Sequence, residues 1–211
     1  MIAPATNTQS DSARHTTKVV SLLTIGVSAL VGGGAWCVVV SRGLDTGHHG
    51  MSVYGVSAGS AVPFAAALLL AATFIHLAAF RLAPAEKWLA RPLQAVAFLL
   101  IGVLVVPMSP RVVPGIAHSA LGTSLFIAQL IVGARLVSRS QTARLFLQAA
   151  LAIQFCGCAI SLLALLDLSD TMFAGQVVTQ LAWAPLVVLG TANALRPHLP
   201  ASSHHGHAGH A

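Results

Sequence analysis

Six stretches of this chain, residues 19–40, 61–80, 92–108, 116–137, 145–166 and 177–195, are almost wholly apolar, and each is as long as a bilayer's hydrocarbon is thick. A helical span takes about 20 residues, within a range of about 17–25. Open strands leave backbone N–H and C=O groups unsatisfied in lipid, so helix is the economical reading of every run. The predicted fold is all-α: a polytopic bundle of six transmembrane helices filling residues 18–196. A disordered cytoplasmic N-terminus (1–17) precedes it and a His-rich disordered cytoplasmic tail (197–211) follows. The first run exceeds a signal-peptide core of about 7–15 residues. Trp36 before Cys37 also spoils a lipoprotein cleavage site, so the run is expected to stay as a helix.

Composition agrees. Only 8% of residues are charged and 56% are hydrophobic, with a mean hydropathy of +0.82, whereas a soluble domain carries about 25% charged residues. The net charge of +6 could point to nucleic acid. The Lys and Arg residues, however, sit singly at segment ends, with no basic cluster or interleaved aromatics. Their distribution instead sets an orientation. Arg14, Lys18, Arg81, Lys87, Arg91, Arg135, Arg139, Arg144 and Arg196 fall on one side, against Arg42 and Arg111 on the other. The positive-inside rule places the richer side, and with it both termini, in the cytoplasm. Neither a transit peptide nor a lipidation motif is present, and a multi-pass protein of the plasma (inner) membrane is expected.

The helices carry small residues suited to close packing: Gly26, Ser28, Gly32, Gly33 and Gly34 in the first, Ala67 and Ala71 in the second. Pro185 is expected to kink the sixth. Cys156 and Cys158 point about 200° apart on a helix and, with Cys37, read as packing residues rather than a disulfide or a metal site.

Polar chemistry concentrates in two places. The loops expected outside bring together Asp45, His48, His49 and Ser52, then Arg111 and His118, then Asp167 and Asp170. They form a candidate outer site in which histidines serve as ligands or proton acceptors, an aspartate as partner and Arg111 as anchor for an anion. The plainer reading is a solvated loop cluster with His118 at the membrane interface. The second place is intramembrane. His76 lies about 22 Å along the second helix, at a depth where ionisable residues are functional candidates. Gln129 lies on a stripe with His118, Gly122 and Leu125, and Gln154 on one with Cys158 and Ser161. Inward glutamines hydrogen-bond across helices. His76 and His118 lie near opposite ends of the bundle and cannot clasp one haem, so no cofactor is implied. The tail histidines His204, His205, His207 and His210 could bind a transition metal. Phosphate-loop, His-Glu-x-x-His and Gly-x-Ser-x-Gly patterns are absent.

The stretches DTGHHGMSVYG and VPMSPRVVPGIAHSALGTSLF resemble segments of the bacterial six-helix membrane proteins of the domain-of-unknown-function 998 type, themselves distantly similar to DRAM and Sfk-type membrane proteins. The resemblance touches Ser52, Gly55, Pro110, His118, Gly122 and Phe126, and departs at Met-Ser-Pro, where an aromatic is commoner before the proline. It implies the six-helix fold and little chemistry.

The sequence thus leads to a non-enzymatic accessory, scaffold or regulatory protein whose partners are the lipid bilayer and other membrane proteins, and not nucleic acid. A small-solute or ion transporter using His76, Gln129 and Gln154 is the alternative, followed by a metal-handling protein or membrane enzyme using the outer His/Asp cluster.

Overall fold

The computed structural model describes residues 7–41, 50–106 and 112–196. Six α-helices run antiparallel in chain order: α1 Asn7–Val40, α2 Ala61–Leu82, α3 Lys87–Val105, α4 Val112–Arg139, α5 Arg144–Leu165 and α6 Met172–Ala194. A 3-10 helix, Gly50–Gly55, lies between α1 and α2. Each of the six is long and apolar enough to cross a membrane. Their outward faces carry bare hydrocarbon, such as Val62 (77% exposed) and Leu145 (83% exposed), a surface that belongs in lipid. The all-α six-span bundle is therefore as expected.

α1 starts earlier than the sequence indicated. Residues 7–17, expected to be disordered, continue the helix, and Thr17 Oγ1 donates to the Ala13 carbonyl one turn back (3.0 Å). The physical reason is cooperativity: once lipid fixes the apolar run as helix, polar residues extend it without a new nucleation cost. Thr16 Oγ1 also donates to the Leu195 carbonyl (3.5 Å), tying this extension to the end of α6. α3 likewise starts at Lys87, placing Pro92 inside the helix rather than at its head. α6 runs on through Pro185 without a break.

Small residues set the helix spacings. On α1, Gly26 faces the Ala71 carbonyl and Gly33 faces Ala67, so α1 and α2 meet along the small stripe. The closest approach joins α5 and α6. A Cβ on Gly157 would come 2.6 Å from Thr179 Oγ1 and 2.8 Å from the Gly175 carbonyl, and one on Gly175 would come 2.5 Å from Ser161 Oγ. Backbone there touches backbone. α6 also packs on α1, α4 and the 3-10 helix, and is the central post of the bundle.

All described Lys and Arg residues lie where the chain enters α1, turns between α2 and α3 and between α4 and α5, and leaves α6. This is the basic end. The 3-10 helix, the C-terminus of α3 and the turn between α5 and α6 mark the opposite end.

Candidate functional site

The 3-10 helix is held at that opposite end by burial and by one amide. Tyr54 is buried, with its ring edge-on to Phe173 (6.2 Å, 82°) and tilted against Phe64 (6.4 Å). Ser60 Oγ, at the head of α2, donates to the Tyr54 carbonyl (3.0 Å). Gln176 Oε1 accepts the Met51 N–H (2.5 Å). Gly50 makes this possible. Its φ is +62°, which favours glycine, and a Cβ there would meet Gln176 Oε1 at 2.5 Å.

Ser52 follows directly, and its Oγ lies 2.7 Å from His118 Nε2. On the other side of the ring, Nδ1 lies 2.5 Å from the Val106 carbonyl. A carbonyl can only accept, so Nδ1 carries the proton and Nε2 receives the hydrogen bond of the Ser52 hydroxyl. Val106 caps the C-terminus of α3, where carbonyls lack helical donors and the helix dipole is negative. Three separate elements thus fix one imidazole.

This pair stands at the top of a cavity of about 540 Å³ between α4 and α5. The cavity's wall runs along α4 from Gly115 to Leu130, and along α5 from Phe155 to Leu165; Met172 and Gln176 of α6 close its upper end. Its floor lies where α4 is tightly packed at Gly133, with Leu151 and Leu186 pressing in, whereas Gly122 higher on the same helix faces open space. Its rim side chains Phe155 (62% exposed) and Ile127 (52%) sit on the lipid-facing perimeter, so it opens sideways. Hydroxyls of Ser119 and Thr123 and the Cys158 thiol interrupt an otherwise apolar wall. Ser161 also lines it; its side chain is only 3% exposed, and its Oγ has no hydrogen-bond partner.

The chain matches no family model, no curated protein and no solved structure.

Of the expected outer cluster, the structure brings Ser52 and His118 into contact. Asp167 and Asp170 are exposed and do not line the cleft. Asp167 has a backbone role instead, with φ +56° at the end of α5. The Leu168 N–H bonds the Leu163 carbonyl (2.9 Å) and its own N–H bonds that of Ala164 (3.1 Å), the pattern that closes a helix through a left-handed residue. Asp45, His48, His49 and Arg111 lie outside the described residues, as do His204, His205, His207 and His210. Among the described residues, no three His, Cys, Asp or Glu side chains group to hold a metal.

The intramembrane set separates. Gln129 and Gln180 pair amide to amide across α4 and α6 (3.1 and 3.4 Å). Gln154 is fully buried, beside Gly133, with neither amide atom bonded. His76 instead lies tilted (59°) against Phe98 at 5.7 Å between ring centroids; Phe98 is 65% exposed, so the pair sits at the perimeter between α2 and α3. Sequence reasoning missed the cleft and the roles of Gln176 and Ser161. The Gly-x-Ser in Gly50–Ser52 was the one available signal.

Proposed function

We propose that this multi-pass protein resides in the plasma membrane with both termini cytoplasmic, and there binds a membrane-dissolved amphiphile in the cleft between α4 and α5. The cleft itself carries the reading. Its volume suits a small-molecule site, for which about 300–1,000 Å³ is typical. Its lining on α5 spans about 15 Å, one leaflet of a hydrocarbon core about 30 Å thick. Its side opening admits an acyl or similar chain from the bilayer, and its polar head at Ser52, His118 and Gln176 lies at the level of lipid headgroups. Among the described residues, no Lys, Arg, Asp or Glu lines it, which favours a ligand with an uncharged polar group. The concentration of basic residues at the other end supports the orientation.

An accessory or scaffold role toward other membrane proteins is the second reading, favoured by the backbone-close α5–α6 contact, which makes that half of the bundle stiff. Transport through His76, Gln129 and Gln154 draws less support, since His76 packs against Phe98 at the perimeter while Gln129 pairs with Gln180. Kinship with the six-helix family is part of the proposal: Ser52, His118, Gly122 and Phe126, four of the positions carrying the resemblance, line the cleft.

Gly122 supplies the test. It lines the cleft, and a Cβ there meets nothing within 4 Å, so Gly122→Phe should fill the space without disturbing the helices. Mass spectrometry of the protein purified in mild detergent should find one retained amphiphile per chain, lost in Gly122→Phe at unchanged melting temperature. Equal lipid content in both proteins would sink the reading.

A further inference from the structure

The bond between Ser52 and His118 does more than tether the 3-10 helix. A serine hydroxyl within hydrogen-bond reach of an imidazole, whose other nitrogen is oriented by a third group, is the arrangement that activates a nucleophile. All three parts are present: Ser52 Oγ, His118 Nε2 at 2.7 Å, and the Val106 carbonyl at 2.5 Å from Nδ1. Serine–histidine pairs also serve as plain structural bonds, so the surroundings decide. Here the serine opens into a cleft rather than into packed side chains. The preceding Gly50 holds a left-handed turn that sets the serine on its short helix. Gln176, whose Oε1 is occupied by the Met51 N–H, leaves its Nε2 donors without a described partner at the head of the same cleft.

We infer that Ser52 is a nucleophile and His118 its general base, and that the protein cleaves or transfers the acyl group of an uncharged membrane lipid ester whose chain occupies the cleft. The inference rests on the amphiphile reading above. Ser52 Oγ attacks the ester carbonyl carbon while its proton passes to His118 Nε2; the carbonyl π electrons move onto oxygen, where Gln176 Nε2 can donate to the oxyanion. The Val106 carbonyl, at the negative end of α3, steadies the imidazolium that forms. Collapse of the adduct breaks the ester C–O bond, and His118 returns the proton to the departing alcohol oxygen. Water, or a second lipid hydroxyl, then attacks the acyl-Ser52 carbonyl. Its proton goes to Nε2 and on to Ser52 Oγ as that bond breaks, releasing a fatty acid or a new ester. Ser161 Oγ, buried and unpartnered along the path of the chain, offers a hydrogen bond to a polar group deeper in the substrate.

Two fluorophosphonates, one with a small alkoxy group and one with a long alkyl chain, test this on the full-length protein in nanodiscs. Both should form an adduct that peptide mapping assigns to Ser52 and not to Ser119 or Thr123, which line the same cleft without a histidine. Ser52→Ala should abolish labelling. His118→Gln should slow it by about a hundredfold or more, the lower range for a lost general base. Gly122→Phe should block the long probe and spare the small one. If neither probe modifies Ser52 in the wild-type protein, the nucleophile assignment is overturned, while the cleft reading still stands or falls on lipid retention. If both label Ser52 and Gly122→Phe leaves the long probe unaffected, the nucleophile holds and a chain in the cleft does not.

Discussion

Arg135 Nη1 donates to the Trp88 carbonyl at 2.6 Å, and that carbonyl is the acceptor Pro92 strands inside α3. Proline has no N–H, so the residue four before it loses its helical donor. A guanidinium from α4 supplies the missing bond, while Arg139 lies over the Trp88 ring at 5.2 Å and Glu86 accepts from its indole N–H. Two arginines that the sequence offers only as orientation signals thus also repair and clamp a helix.

Arg135→Ala should therefore lower stability by about 1 kcal/mol, the usual net worth of such a bond. In a Pro92→Ala background, where the helix regains its own donor, the same change should cost markedly less. Thermal unfolding in detergent across the four-member cycle measures the coupling; simple additivity would show that the contact is incidental.

The α5–α6 contact should tolerate no side chain. Gly175→Ala places a methyl 2.5 Å from Ser161 Oγ and 2.8 Å from the Gly157 carbonyl, and overpacking of this kind costs about 1–3 kcal/mol. Gly122→Ala, facing open space, should be nearly neutral. Melting temperatures of the two variants make the comparison.

At the end of α5, Asp167→Gly should preserve or raise stability by up to about 1 kcal/mol, because a left-handed φ strains any L residue. Asp167→Val should lower it, since a β-branched side chain fits that conformation poorly. If instead Asp167→Gly were the damaging change, the carboxylate and not the backbone would be what matters there.

Tyr54 gives a pH signature. Burial, and secondarily the neighbouring Cys37, push its phenol above its ordinary value of about 10. The folded state thus prefers the neutral ring. That contribution to stability is complete below the unfolded value and fades as pH rises through the folded one. The chain has a single tyrosine, so tyrosinate absorbance should titrate at higher pH in the folded protein than in the denatured one. Tyr54→Phe should remove the associated part of the alkaline loss of stability.

Much of the fold was legible because lipid imposes a simple criterion: runs of apolar residues of span length. Helix ends were less so. Asn7–Thr17 has no apolar signal and is helical only because α1 propagates into it. The site was legible in its parts and not in its assembly. Ser52 and His118 could both be placed at one end of the bundle, but their bond joins residues 66 apart in sequence. It depends on Gly50 fitting against Gln176, and Met51 and Gln176 are 125 apart. The cleft was invisible because it arises from how α4, α5 and α6 pack together, a matter of tertiary arrangement rather than residue type. His76 is the converse case, a polar residue conspicuous in sequence whose ring turned out to lie against a lipid-facing phenylalanine.

Photo-crosslinking with an acyl-chain diazirine lipid in native-like bilayers reads the cleft most directly. Adducts should concentrate on Phe126, Ile127, Phe155 and Leu162 and vanish from them in Gly122→Phe. Adducts spread evenly over the bundle's outer hydrocarbon, with Phe80 and Phe98 marked as heavily as the cleft and no change in the variant, would contradict a bound amphiphile.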